Sequence, residues 1–343
     1  MLDDLKLIHS RDAQDALGVA QKQWAQLTYT YNVKITTTNG INNVVVAGMG
    51  GSALAATLLV SWPSIKLPFS VVRDYDIPTY ADKNTLFIAS SYSGNTEETL
   101  SALTQAETKG CQIVVIASGG KLAEIAEKKA YPLYKIPEGY QPRMAVFYNF
   151  RALIELFVSV GLLDKQVIFE LDLSAKWLAE QCKTLLADIP TKDNQAKQIA
   201  RELAGNSIVV YAGAKFFPVA YKWKINFNEN SKTIAWCNHL PEFNHNEFLG
   251  WTSHPTNKPY KVIDIRSPLE NVRTQKRFVI SEKLLSGKRP QPEVVVPVGE
   301  TLLKQLLWSI QLGDFVSLYL AIINELNPTP VALIEKLKVE MAK

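Results

Sequence analysis

Short continuous apolar runs alternate along this chain with longer stretches whose apolar positions recur at threes and fours. Residues 42–60, "NNVVVAGMGGSALAATLLV", set the plan: a β-branched run, then glycines at Gly48, Gly50 and Gly51, then a small-residue helix starting near Ser52. Further buried strands are predicted at 68–75, 84–91, 111–118 and within "YPLYKIPEG", with helical patterns in "NTEETLSALTQAETKG" and "KLAEIAEKKA" between them. Ahead of this region, "DAQDALGVAQKQWAQL" spaces Ala13, Leu17, Ala20 and Trp24 as a helix would. Helices are predicted over 147–163 and 174–189, and then the plan restarts. Residues 206–230 repeat the order of buried strand, glycine at the turn and long helix. "TIAWCNHLPEF", "YKVIDIRS", "TQKRFVISEKLLSG" and "EVVVPVG" supply later strands and helices, and 300–327 form a long amphipathic helical region.

Strands alternating with helices imply parallel sheets covered on both faces, hence an α/β fold. A length of 343 residues fits about two domains. The repeated plan predicts two doubly wound domains of similar topology: residues 1–163 with the N-terminal helix, a helical linker over 164–194, and a second domain over 195–343.

Composition changes this picture little. Hydrophobic residues at 47% and charged residues at 20% are those of a globular chain. The net charge of +4 comes from cations scattered among acids, which gives nucleic-acid binding little support and suits a few basic groups aimed at a small anion. Cys111, Cys182 and Cys237 are far apart and odd in number. That argues against a disulfide framework or a zinc ribbon and predicts a reducing, cytoplasmic setting. The N-terminal "MLDDLKLIHSRDA" carries acids where a signal peptide would be apolar, and no run reaches the ~18 apolar residues of a membrane span.

The candidate chemistry lies in two turns of the first domain. In open parallel sheets, ligands sit beyond the carboxyl ends of the strands. There "GMGGSA" offers close backbone approach at Gly50 and Gly51 with the Ser52 hydroxyl, and "SYSGNT" offers Ser91, Ser93 and Thr96 at a helix start. Free N–H groups and the positive helix end favour an anion, above all a phosphate. Two other readings compete. A dinucleotide fingerprint would put its third glycine at Ala53, with Asp74 or Asp76 as the ribose acid; no Walker GK[ST] is present in either loop. The second loop also reads as a plain helix cap, with Asn95 three residues before Glu98.

Gly50-Gly51-Ser52 and the run from Ser91 to Thr96 resemble the phosphosugar-binding loops of sugar isomerase (SIS) domains. "PRMAVFY" (142–148), "NFNENSK" (226–232) and "LPEFNHNEFLGW" (240–251) further resemble the bifunctional phosphoglucose/phosphomannose isomerases of bacteria and archaea, over nearly the whole chain. The resemblance implies two SIS-type domains, an aldose–ketose isomerisation through a cis-enediol, no cofactor, no metal, and a homodimer whose active site takes its histidine from a second subunit. It also implies roles. Glu229 is the base, flanked by Asn228 and Asn230 as amide donors, with Glu242 and Glu247 as competitors. His245 opens the sugar ring, Arg143 steadies the enediolate, and the C-terminal helix brings in Lys338, with Lys336 close behind. Thr329 lines the sugar pocket, while His9, His239 and His254 lie off the motifs.

The chemistry agrees with those roles. Isomerisation needs a proton donor or acceptor at the ring oxygen, a base to move a proton between C2 and C1, and positive charge near the enediolate. Histidine exchanges protons near neutrality. The expected function interconverts glucose 6-phosphate or mannose 6-phosphate with fructose 6-phosphate. A glucose-6-phosphate isomerase alone and a non-catalytic phosphosugar sensor are the rival expectations. A sensor would want a DNA-binding or partner module, and no basic helix-turn-helix precedes the first strand.

Overall fold

In the computed structural model, which describes residues 1–35, 40–253 and 259–341, the chain begins with two short helices rather than one. Helix α1 (Leu5–Arg11) ends before Asp12, whose carboxylate accepts from the N–H groups of Ala16 and Leu17, both at 2.8 Å, and so caps α2 (Ala16–Lys22). That local bond competes with a continuous helix and wins.

Two compact units follow. One comprises Lys22–Ala179, the other Met1–Gln21 with Glu180–Lys343. This departs from the expected division at both ends, for visible reasons. The N-terminal segment belongs with the second unit: Asp3 accepts from the N–H and the hydroxyl of Thr191, each at 2.8 Å, and Arg11 donates to Ile322 O at 2.7 Å. The expected linker is mostly helix α7, and the boundary falls inside it.

The unit spanning Lys22–Ala179 contains β1 (Asn43–Ala47), α3 (Gly50–Ser61), β2 (Phe69–Val72), β3 (Thr85–Ser90) and α4 (Glu97–Thr108). It continues with β4 (Gln112–Ala117), α5 (Gly120–Lys129), β5 (Leu133–Lys135), α6 (Val146–Ser159) and most of α7 (Gln166–Cys182). The sheet is wholly parallel in the order β2-β1-β3-β4-β5, with Val45 paired to Ser70 on one side and Phe87 on the other. Every residue of β1 and β3 is buried, as central strands covered on both faces must be. Because the chain order reverses at β1, a crevice opens beyond the carboxyl ends of β1 and β3. Both predicted phosphate loops begin there.

The second unit repeats the design with one strand fewer. Its elements are α8 (Gln195–Leu203), β6 (Ser207–Gly213), α9 (Phe217–Glu229), β7 (Ala235–Leu240), α10 (Glu247–Gly250), β8 (Tyr260–Ile265), α11 (Val272–Leu284), β9 (Glu293–Val295), α12 (Leu302–Ile323) and α13 (Ala332–Met341). The parallel order is β7-β6-β8-β9. Helix α12 is long and apolar enough to cross a membrane by length and composition, but 94% of its apolar window is buried. It is the core helix of this unit. Asp314 on this helix accepts from Lys222 and Asn226, and Trp223 Nε1 donates to the Ser309 backbone carbonyl at 2.8 Å.

Candidate active site

The phosphate loops are built from turns that only these residues allow. Gly94 sits at φ +69°, and a Cβ there would lie 1.8 Å from the Gly119 carbonyl oxygen. A Cβ on Gly51 would meet Pro142 O at 2.6 Å, so the absence of a side chain lets the start of α3 rest on the backbone of the 142–144 turn that carries Arg143. Ser52 joins the two loops, its Oγ accepting from the Tyr92 N–H at 3.1 Å. Within the second loop the hydroxyls of Ser91 and Thr96 lie 2.7 Å apart, and Ser93 Oγ accepts from the Asn95 N–H at 3.3 Å.

The capping reading of this loop fails. The N-cap of α4 is Thr96, whose side chain makes no capping bond, and Asn95 Oδ1 instead accepts from the Lys121 N–H at the start of α5. Helix α3 has no side-chain cap either. Two helix starts therefore face the crevice without a side chain of their own to satisfy them, which suits an anion.

Arg143 belongs to the same neighbourhood. It is 1% exposed, which excludes the ordinary solvated arginine, and it donates to Gln141 Oε1 at 3.4 Å. Tyr92, the loop residue that sequence reasoning passed over, fixes the segment leading to it: its hydroxyl donates to Pro137 O at 3.0 Å and accepts from the Tyr140 N–H at 2.8 Å. Burial holds this phenol above its ordinary pKa, so it stays a donor.

In the other unit, Glu229 is half-buried as the last residue of α9. Its asparagine neighbours were expected to hold its carboxylate. Among their bonds, Asn228 Nδ2 donates to the carbonyls of Lys224 and Ala235, and Asn230 Nδ2 to Ser317 Oγ at 2.9 Å. Lys232, unassigned by sequence although it closes the "NFNENSK" motif, donates to the carbonyls of Asn230, Asn327 and Pro328 at 2.9–3.2 Å. It thereby stitches the turn after Glu229 to the turn that carries Thr329.

His245 is exposed, in a 3-10 turn (Glu242–His245) beyond the end of β7. Its neighbours are pinned. Asn244 donates to Ser281 Oγ at 2.8 Å and Asn246 to Glu242 at 2.6 Å; Glu247 accepts from Tyr211 and from Asn238. The two competitor glutamates are thus engaged in holding this loop. His239 is half-buried against the ring of Phe217, His9 lies in α1, and His254 lies outside the described residues. Lys336 and Lys338 are exposed on α13, with Lys338 paired to Glu335 at 2.9 Å. Among the described residues, no group of three or more His, Cys, Asp or Glu is placed to hold a metal ion.

A bifunctional phosphoglucose/phosphomannose isomerase from Caldicellulosiruptor bescii is 37% identical over 308 residues, covering 88% of this chain and 90% of that one. The chain belongs to the bifunctional phosphoglucose/phosphomannose isomerase family. Another member, from Thermoplasma acidophilum, is 36% identical over 303 residues, again covering 88% of this chain and 90% of its own. Residues 192–341 match the bacterial phospho-glucose isomerase C-terminal SIS domain, the part that carries Glu229 and His245. The fold is shared with a hypothetical protein from Thermus thermophilus (TM-score 0.71, 15% identity, covering 98% of this chain and 90% of that one).

Proposed function

We propose that this phosphoglucose/phosphomannose isomerase interconverts glucose 6-phosphate and mannose 6-phosphate with fructose 6-phosphate through a cis-enediol. The observation that carries the reading is the pair of uncapped helix starts beside buried Arg143, in a family of sugar-phosphate isomerases. The phosphate binds at Gly50, Gly51, Ser52, Ser91, Ser93 and Thr96. His245 protonates the ring oxygen as the ring C–O bond breaks, and the anomeric hydroxyl releases its proton to water as it becomes the carbonyl. Glu229 takes the C2 proton and returns it to C1, while the proton on the C1 or C2 oxygen passes to its neighbour. Arg143 stabilises the negative charge on the enediolate oxygens. Both directions should be assayed separately with glucose 6-phosphate and with mannose 6-phosphate. Turnover of neither would overturn the reading, and turnover of glucose 6-phosphate alone would narrow it.

A homodimer with a shared site is supported by where Glu229 and His245 lie along β7. Glu229 lies at the start of β7, where Asn228 bonds the Ala235 carbonyl, and His245 lies beyond its end at Leu240. A six-residue strand spans about 20 Å. That strand is longer than a hexose phosphate, which supports a reading in which His245 serves the site of a second copy. The apolar surfaces left open on α11 (Val272, Val279, Ile280, Leu284) and on α13 (Leu333, Leu337, Val339) support such a partner, and α13 would bring Lys338 with it. The test is complementation. Glu229→Gln and His245→Ala should each be inactive alone; co-expressed, each mixed dimer regains one intact site, about half of wild-type activity per mixed dimer and about a quarter for the unseparated population. No recovery in isolated mixed dimers would place both residues in one chain's site.

Ser93→Ala isolates the phosphate role, because Ser93 is exposed and its hydroxyl holds only a local loop bond. Affinity for a competitive sugar-phosphate inhibitor should fall about 10–100-fold, with thermal stability nearly unchanged. Titration calorimetry giving unchanged affinity would remove Ser93 from the phosphate site.

A further inference from the structure

His245 does chemistry from an exposed loop, and such loops are mobile unless something buried holds them. Two residues beyond it, the Glu247 side chain turns back into the unit. One carboxylate oxygen accepts from Tyr211 Oη and the other from Asn238 Nδ2 at 2.6 Å. Tyr211 lies on the central strand β6, 1% exposed, with its ring 4.5 Å from that of Phe243 and the Arg289 guanidinium 5.6 Å from its centroid. Trp251 Nε1, which can only donate, approaches Tyr211 Oη at 3.0 Å. The phenol oxygen therefore accepts from the indole, and its one proton points at Glu247. Burial and the Glu247 carboxylate both push the phenol's pKa upward, so this donor is not lost at any working pH.

We propose that Tyr211 and Glu247 are positioning residues for ring opening: their buried hydrogen bond anchors the His245 loop to the sheet at one register. The bond is directional, shielded from water and made to a charged acceptor, the kind worth most in a protein interior. It also gives Tyr211 a purpose that packing does not require, since a phenylalanine would fill the same space beside Phe243. The inference rests on the assignment of ring opening to His245.

The test separates ring opening from proton transfer. Interconversion of the two anomers of fructose 6-phosphate, followed by NMR exchange, requires ring opening but no movement of the C1 proton. Tyr211→Phe should lower isomerase kcat about 10–100-fold, the scale of a misplacement near 1 Å, and lower enzyme-catalysed anomer exchange by the same factor. Asn238→Ala, which removes the other bond to Glu247 without touching the buried ring, should act in the same direction and covers the case in which Tyr211→Phe folds poorly. His245→Ala should lose both activities, and Glu229→Gln only isomerisation. Unchanged kcat per folded molecule in both positioning variants overturns the proposal, as does lost isomerisation with anomer exchange intact. If His245→Ala itself keeps full anomer exchange, the ring-opening assignment falls, and the proposal with it.

Discussion

Glu229→Gln lowers isomerase turnover by at least about 10²-fold, the lower bound for a positioned general base, while phosphate affinity stays at its wild-type value. The amide occupies the same volume but cannot accept the C2 proton. The phosphate loops lie in the other compact unit and do not depend on Glu229 for their hydrogen bonds. The turn around Glu229 is held by its neighbours: Asn228 to Ala235, Asn230 to Ser317, Lys232 to Asn327 and Pro328. The substitution therefore removes the proton acceptor and leaves its support standing. Exchange of solvent tritium into substrate should vanish together with turnover. Near-normal turnover would end the assignment, and it could not pass to Glu242 or Glu247, which hold the His245 loop at the far end of β7.

Asp314→Ala destabilises the protein by about 3–5 kcal/mol, the range for removing one partner of a buried ion pair. Lys222 is wholly buried in α9, and its ammonium donates to Asp314 and, at 2.7 Å, to Asn226 Oδ1; Asn226 Nδ2 in turn donates to Asp314 at 2.6 Å. Alanine takes away the carboxylate that faces this buried ammonium. Against a total stability of about 5–15 kcal/mol this is a large fraction. The same triad sets the register of α9 on α12, so any protein that folds should also lose turnover through a displaced Glu229. Urea denaturation measures the first effect. A loss below about 1 kcal/mol would show that the pair adds little. Replacing both partners by leucine or methionine should recover most of the stability, because no charge is then left buried without its counterpart.

The strands and most helices were legible because buried parallel strands need continuous β-branched runs, and "NVVVA", "TLFIAS" and "QIVVIA" are such runs. The two glycine- and hydroxyl-rich loops at helix starts were legible for a similar reason. A helix start left open to an anion needs glycine and hydroxyls within a few residues of a strand end, so the signal is local. Where local bonds compete, the pattern misled: Asn95 bonds across to α5 rather than capping α4. The domain boundary was also hidden, since it depends on Asp3 meeting Thr191 and Arg11 meeting Ile322, pairs separated by nearly 200 residues or more.

By itself, then, the sequence determined the α/β class, the repeated strand–turn–helix plan, the loops that suit a phosphate and the family motifs around Arg143, Glu229 and His245. Each is written in neighbouring residues. Only the tertiary structure decided what those residues rest on: Gly51 against the turn of Arg143, Lys222 paired with Asp314, Lys232 tied to the turn of Thr329, and Glu247 held by Tyr211. It alone put Glu229 near the start of β7 and His245 beyond its end. Their spacing of sixteen positions in sequence carries no distance, because the direction in which a helix and a strand run back past each other is set by the packing of the whole sheet.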